Sequence, residues 1–457
     1  MVEPRRWRKA PASMTSRLLA AAVLLAAAFM AWLAVTIPMA ARTLQVTVGA
    51  SVVYVGYLAW RGWAVMRREM ALGRSGAGAS TGVAVGAPWI SVLVPARNEA
   101  AVIAASVGDL LAQRYADASG PHFDLLVVDD GSSDGTGELA RQAIEGSSVS
   151  ARVIRREPGS GPLTKAAVLA FAQPFFRGEV VGVIDADTRI GPDFLERVAR
   201  AWGRDPTAAA VQVQRRVAAG QPGWLPAAQD AEQLMDMASQ CGRRATDGTA
   251  ELRGNGMFVR VAALAGVGGW NARALTEDLD LSTRLAAAGE HVALAPDAEL
   301  REEAVVTLGD LWRQRLRWAE GGLRRILEIG PGLLRSPDLA LTRKLDFLAF
   351  AGEYLIPPLF VAALVASIIT IPVPGPADWT VPLSLFVAYG GGSLMLALAG
   401  LSAHGVRGRA LLWGSLRGAL FLSHWLLVVT TALIRIALGR GAEQFVQTPR
   451  RGAPSQV

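Results

Sequence analysis

Apolar residues gather in blocks at the two ends of the chain and alternate with polar turns through its middle. Near the N-terminus, "RLLAAAVLLAAAFMAWLAVTIPMAA" (17–41) holds an uncharged apolar run of roughly 20 residues, enough to cross a bilayer as a helix. A second apolar stretch follows at 44–60 and ends in "RGWAVMRREM". A signal peptide has a shorter apolar core and no such sequel, so a transmembrane hairpin is predicted over 17–66. Three further apolar segments, roughly 347–371, 381–403 and 411–438, close the chain. Each contains Pro, Gly or a charge, so each could also lie partly at the interface.

The middle, about 85–340, follows another pattern. "APWISVLVPARNEA" (87–100) is a β-branched apolar run ending in a polar turn, followed by the helical "AVIAASVGDLLAQRY". "FDLLVVDDGSSDGT" repeats the format before the helical "GTGELARQAIE". "ARVIRRE" and "EVVGVIDAD" are further strands, separated by the helical "TKAAVLAFAQPFF". The alternation predicts an α/β domain with a parallel sheet and right-handed crossovers. Ligands of such sheets sit at the carboxyl ends of the strands. Two acidic turns, Asp129–Asp130 and Asp185–Asp187, fall at such ends and could share one crevice.

Charge refines the membrane picture. The chain has 457 residues and a net charge of +7, but its basic residues crowd beside apolar runs. That arrangement suits anionic lipid head groups better than nucleic acid, for which no motif is present. Arg5, Arg6, Arg8 and Lys9 precede the first apolar segment, and Arg61, Arg67 and Arg68 end the second. The positive-inside rule puts both flanks, and with them the polar middle, in the cytoplasm. A fifth full span would leave Arg440, Arg450 and Arg451 outside, against the rule, so the parity of the C-terminal spans stays open. The single cysteine, Cys241, rules out an intramolecular disulfide. The resulting division is a basic N-terminus (1–16), the hairpin (17–66), a linker (67–86), an α/β domain (87–310), amphipathic interfacial helices (311–346), two or three C-terminal spans (347–440) and a tail (441–457).

The acidic turns carry the candidate chemistry. Neighbouring carboxylates repel unless a cation or a hydrogen-bond donor takes up their charge. In "VVDDGSSDGT", Gly131 and Gly135 permit a tight turn, and the acids can accept hydrogen bonds from a sugar hydroxyl or a base N–H. A helix-capping turn without ligand has the same composition. No G-x-G-x-x-G follows the first strand and no Walker A loop is present, which argues against dinucleotide and P-loop chemistry. In "LTEDLDLSTRLAAAG", Thr276 is a plausible helix N-cap, and Glu277, Asp278 and Asp280 favour the helix start electrostatically. "LWRQRLRWAEGGLRRILEIG" (311–330) reads as an amphipathic helix beside the bilayer, its arginines free to face lipid phosphates.

Taken together, "VLVPARNEA", "VVDDGSSDGT", Lys165, "DAD", "GNGMFVR", "GGW", "TEDLDLSTRL" and "QRLRW", in that order over about 90 to 320, resemble the membrane-embedded branch of the family 2 glycosyltransferases with the GT-A fold. That branch includes processive cellulose, hyaluronan and poly-N-acetylglucosamine synthases and glucosyl-diacylglycerol synthases. The tail "FVQTPR" resembles the branch's usual ending. The resemblance implies that Pro95, Arg97 and Glu99 sit over the nucleotide of a UDP-sugar, and that Asp129 and Asp130 contact uracil and ribose. It puts Lys165 near the nucleotide, although "GPLTKAAVLA" lacks the family's adjacent Gly-Lys. Asp187, helped by Asp185, is expected to hold Mg²⁺ or Mn²⁺ against the diphosphate. Asp278 is expected to act as the base of an inverting transfer, with Glu277 and Asp280 as competing carboxylates. Gln314, Arg317 and Trp318 are assigned to the acceptor and diphosphate end, Gly254, Asn255 and Gly256 to a wall near the acceptor, and Gln212 and Gln214 to the same channel. The expected acceptor is a membrane lipid such as diacylglycerol, with a growing polysaccharide as the alternative.

Overall fold

The computed structural model describes residues 13–76, 86–157, 159–162, 164–371 and 379–440. The "FVQTPR" tail lies outside the described residues. Two helices open the fold, α1 (Met14–Thr36) and α2 (Pro38–Gly76). The central domain then runs β1 (Ile90–Ala96), α3 (Ile103–Leu111), a small ribbon of β2 (Ala116–Asp117) and β3 (Gly120–Pro121), β4 (Phe123–Asp129), α4 (Thr136–Ile144) and β5 (Ser150–Arg155). It continues with α5 (Lys165–Ala172), β6 (Val180–Val183), β7 (Arg189–Ile190), α6 (Phe194–Arg204), β8 (Ala210–Val217) and α7 (Trp224–Ala245). β9 (Met257–Arg260), α8 (Val261–Gly266), α9 (Glu277–Ala287) and β10 (Val292–Glu302) complete it. The C-terminal part is helical: α10 (Leu308–Glu328), α11 (Gly330–Arg335), α12 (Leu341–Glu353), α13 (Ile356–Thr370), α14 (Thr380–Ala403), α15 (Gly408–Leu422) and α16 (His424–Ala437).

The sheet order is β5-β4-β1-β6-β9-β8-β10-β7. Strands β5, β4, β1 and β6 are parallel, as the alternating pattern predicts. The sheet as a whole is mixed, a correction to the all-parallel expectation, because β9 is antiparallel to both β6 and β8 and β7 is antiparallel to β10. The reason is local. Gly254 and Gly256 take positive φ (73° and 69°), turning the chain so that β9 leaves from the carboxyl end of β6. Gly256 N–H donates to the Val183 carbonyl at 2.9 Å there.

Alternate residues of β1 and β4 enter opposite layers, which is why these strands are apolar throughout. Val92, Val94, Leu125 and Val127 pack with Val107 of α3 and Val198 of α6. Leu93, Leu126 and Val128 pack with Leu169 of α5 and Leu285 of α9. The parallel strands thus end together, and the loops at their carboxyl ends form one rim of the domain.

Among the described residues, five helical segments are long and apolar enough to cross a membrane: Met14–Thr36, Pro38–Arg74, Leu341–Thr370, Thr380–Ala403 and Gly408–Ala437. Their limits differ from the sequence reading in three places. α2 does not stop at 66 but runs on to Gly76, into the expected linker; Met66 packs with Met237 and Cys241, and Glu69 pairs with Arg204 at 2.7 Å. The third segment breaks between α12 and α13, just ahead of Pro357 and Pro358, which supply no backbone donors. The fifth divides at Ser423.

The arginines of α10 are also corrected. Arg315 and Arg325 are buried in ion pairs with Glu232 of α7 and Glu251, and Arg324 pairs with Glu320, so they do not meet lipid. Carboxylates projecting from the α/β domain capture Arg315 and Arg325, while Leu316, Leu323 and Leu327 turn to α1 and α16.

Candidate active site

The rim of the sheet opens into one cavity of about 700 Å³. Its floor begins at the end of β1 with Pro95, Arg97 and Glu99. Asn98 adopts a left-handed φ of 53°, and its side chain accepts from Ser133 N–H while its own N–H donates to Ser132 Oγ at 3.0 Å. The turns after β1 and β4 are therefore stitched together. Asp130 reaches the cavity with one carboxylate oxygen held by Arg156 Nε at 2.6 Å and the other 3.5 Å from Arg97.

Asp129 is not on the cavity wall. Its buried carboxylate accepts from Ser132 N–H at 2.9 Å and from Arg155 at 3.1 Å, so it holds the turn that aims its neighbour. Successive side chains of an extended strand point to opposite faces, and only one of two adjacent acids can face the ligand.

Asp185 and Asp187, on the turn after β6, both line the cavity. Lys165, the first residue of α5, forms an ion pair with Asp185, donates to the Gly254 carbonyl at 2.8 Å and lies 3.6 Å from Glu277. Burial opposes its charge, but Asp185 and Glu277 outweigh that and raise its pKa. Asn255 fixes the same turn by accepting from Asp185 N–H at 3.1 Å and donating to Thr188 at 2.9 Å. Gly254 lines the cavity beside it, where an added Cβ would stand 3.2 Å from Asp278 Oδ2. Gly256 is set back from the wall, against Val213 and Leu300.

Glu277 and Asp278 start α9 and face the cavity. Burial, and then the charge of Asp278, pushes the Glu277 carboxyl up to about 7. Burial likewise raises Asp278, against the Leu279 N–H that it accepts at 2.8 Å and the charge of Arg253. Asp280 turns away to Asn271 and Arg284. Thr276 occupies the N-cap position without a side-chain capping bond, packed instead against Gly321 of α10. Gln212 and Gln214 are buried braces rather than channel residues: Gln212 bonds the Asn255 carbonyl and Arg253 N–H, and Gln214 the Gln233 carbonyl.

Gln314, Arg317 and Trp318 of α10 close the far side. Burial lowers the Arg317 pKa against the pull of Glu277. The guanidinium of Arg315 lies 4.1 Å from the Trp318 ring centroid, with that of Arg215 at 5.7 Å. Sequence reasoning missed Arg215, which lines the cavity paired to Glu302 at 2.7 Å. Two arginines inside the strand run "VQVQRRV" were the available signal. Phe350, Glu353, Tyr354, Leu396, Leu422 and Trp425, from the C-terminal helices, were also missed, and nothing in their local sequence marks them as cavity residues. Among the described residues, no three His, Cys, Asp or Glu side chains converge to hold a metal by themselves. Asp185 and Asp187 offer hard oxygen donors only in part of a coordination shell, the arrangement expected of a cation that shares its ligands with phosphate.

A sheet whose strand-end carboxylates meet a helix carrying Gln, Arg and Trp defines a GT-A glycosyltransferase. The family model described as "Glycosyltransferase like family 2" matches residues 87–321, and the chain belongs to that family. The chain is 32% identical over 371 residues to the beta-monoglucosyldiacylglycerol synthase of Trichormus variabilis, covering 80% of this chain and 77% of the relative. It is 33% identical over 366 residues to the enzyme of the same name from Synechocystis sp., covering 79% and 74%. The poly-beta-1,6-N-acetyl-D-glucosamine synthase of Staphylococcus aureus is 26% identical over 238 residues, about half of each chain (51% and 54%). The mannosyltransferase PcManGT from Pyrobaculum calidifontis, solved in complex with GDP-Man and Mn2+, shares the fold at a TM-score of 0.52 and 19% identity, over 85% of this chain and 99% of that one.

Proposed function

We propose that the protein transfers glucose from UDP-glucose to 1,2-diacylglycerol with inversion, at the cytoplasmic face of a bacterial cell membrane. The observation that carries this reading is a continuous cavity, which starts at Asp130, Asp185 and Asp187 and ends at Tyr354, Leu422 and Trp425 among the apolar C-terminal helices. A polar donor and a lipid acceptor can meet only in such a space. The similarity to the glucosyl-diacylglycerol synthases supports the same acceptor, since it extends well beyond the family domain, whereas the polymer synthase matches about half the chain.

In this reading Asp130, Arg97 and Glu99 receive the nucleoside. Asp187, beside Asp185, holds Mg²⁺ or Mn²⁺, which when bound neutralises charge on the diphosphate leaving group. Lys165 offsets the charge of Asp185 and Glu277 around that group. Arg317 supplies a fixed guanidinium fork for phosphate, and Trp318 an apolar face for the sugar or acceptor. The Asp278 carboxylate takes the proton of the acceptor hydroxyl as its oxygen attacks the anomeric carbon. The bond from that carbon to the diphosphate oxygen breaks on the opposite face, and UDP departs with the electron pair. Burial of Asp278 in the cavity wall raises its basicity.

The test is incubation of membranes containing the protein with labelled UDP-glucose, diacylglycerol and Mg²⁺. A labelled chloroform-soluble product is expected. A long water-soluble polymer in its place would overturn the lipid acceptor in favour of a polysaccharide synthase.

A further inference from the structure

The last apolar stretch, residues 408–437, is long and apolar enough to cross a membrane. Yet α15 and α16, at 15 and 14 residues, each fall short of the roughly 20 that a helical span needs. α15 runs antiparallel along α14. A Cβ on Gly414 would meet the Leu401 side chain at 2.6 Å, one on Gly418 would lie 3.7 Å from Ala397, and Tyr389 Oη donates to the Leu422 carbonyl at 3.2 Å. Partners on α14 thus fall from 401 to 389 as α15 advances. At 1.5 Å per residue, Tyr389 stands about 13 Å short of the far end of α14 at Thr380. α15 therefore stops inside the bundle.

α16 then turns back. Trp425 donates its indole N–H to Glu232 of α7 at 2.9 Å. Val428, Ala432 and Ile436 pack on Ala20 of α1 and on Ala319 and Leu323 of α10. Beyond them, an added Cβ on Gly439 would lie 2.9 Å from Arg17 Cζ, at the start of α1. That start faces the catalytic domain, because Ser16 donates to Glu328 at the end of α10 at 2.8 Å and that end is anchored through Arg325 to Glu251. The chain entering α15 is on the same side, with His404 3.7 Å from Glu299 of β10. Between these ends, Leu412, Trp413, Leu416 and Leu420 form an exposed apolar face on α15, suited to hydrocarbon.

We propose that residues 408–437 form a re-entrant hairpin, entering and leaving the membrane on the catalytic side, and that its tip roofs the acceptor chamber. Leu422 and Trp425 flank the break at Ser423 and both line the cavity. Four segments, α1, α2, the broken α12–α13 (Leu341–Thr370) and α14, then make the full crossings; α13, although also 15 residues, carries the crossing on to the far end of α14, its Leu359 and Ala363 clustering with Val381 and Leu385. Arg440, after α16, then lies on the side of Arg17 at the start of α1, which satisfies the charge rule that five crossings would violate. Non-spanning backbone at this depth is tolerated where it is packed in protein or lines a cavity, and the Ser423 break does both. The roofing role rests on the lipid-acceptor reading above, whereas the hairpin itself does not.

The experiment has two arms on the full-length chain expressed in a bacterial host. Fused at the C-terminus, green fluorescent protein is expected to fluoresce and alkaline phosphatase to be inactive; an active phosphatase fusion overturns the hairpin. In vesicles of defined diacylglycerol content, Trp425→Ala is expected to raise the apparent KM for diacylglycerol at least tenfold with the KM for UDP-glucose unchanged. Trp425→Phe, which keeps a ring but loses the N–H to Glu232, is expected to give a smaller rise. Equal changes in both KM values, or none in either, overturn the roofing role. Failure of the wild type to glucosylate diacylglycerol removes that role together with the acceptor reading, and the fusions then judge the hairpin alone.

Discussion

Glu277 and Asp278 are consecutive acids in a buried cavity wall, and each makes ionisation of the other harder. Asp278→Asn is expected to lower transfer by about 10²–10⁴-fold, the usual yield of a general base, while UDP binding measured by calorimetry survives. A base must be ionised, so activity is present above its raised pKa and lost as pH falls through it. Glu277→Gln removes a neighbouring negative charge, so the acid limb of the pH–rate profile should move to lower pH. A limb that stays in place would show that Glu277 does not tune the base. Asp187→Ala should weaken UDP binding in the presence of Mg²⁺ and leave metal-free binding little changed. At this scale, the identities of Asp130, Asp185, Asp187, Glu277 and Asp278 were legible because acids closing strands and opening a helix gather on one rim. Their neighbours Asp129 and Asp280 were indistinguishable from them in sequence; Arg155, 26 residues on, holds Asp129, and Asn271 and Arg284 hold Asp280.

Helix contacts, the next scale up, depend on glycines that allow backbones to touch. A Cβ on Gly62 of α2 would fall 1.9 Å from the Ala238 carbonyl oxygen of α7, and one on Gly242 of α7 would fall 2.2 Å from the Leu58 carbonyl oxygen. On its other flank, α7 meets α14, where a Cβ on Gly400 would lie 2.4 Å from the Leu234 carbonyl oxygen. With no Cβ, glycine lets one backbone touch the next at these crossings. Gly242→Ala must separate the helices and is expected to cost about 1–3 kcal/mol, read as a lower unfolding temperature in detergent. Glu251 is a second pin. Three arginines, Arg325, Arg243 and Arg253, hold its pKa down to about 2 despite burial. Its carboxylate therefore stabilises the fold above the ordinary glutamate range, and that contribution is lost as pH falls toward 2. Glu251→Ala leaves buried guanidinium charge unpaired and should destabilise by about 3–5 kcal/mol in the same assay. The apolar runs of α2 and α14 were plain in sequence, but not which helix each would touch.

Over the whole molecule, one cavity joins a nucleotide-binding rim to the membrane helices, and α10 is the hinge between them. The sequence by itself determined the division into apolar ends and an α/β middle, the parallel strands of the first half and the residue types at the strand ends. It could do so because element type follows from periodicity and local chemistry within a window of several residues. Only the tertiary structure decided that β9 enters antiparallel, that Arg315, Arg324 and Arg325 of α10 turn inward, that Gln212, Gln214 and Gly256 support the wall, and that Phe350, Tyr354 and Trp425 complete it. These outcomes rest on contacts such as Arg315 with Glu232 and Arg325 with Glu251, 83 and 74 residues apart. A long charged side chain goes wherever folding places its counter-charge, and that place is not written in its immediate neighbours.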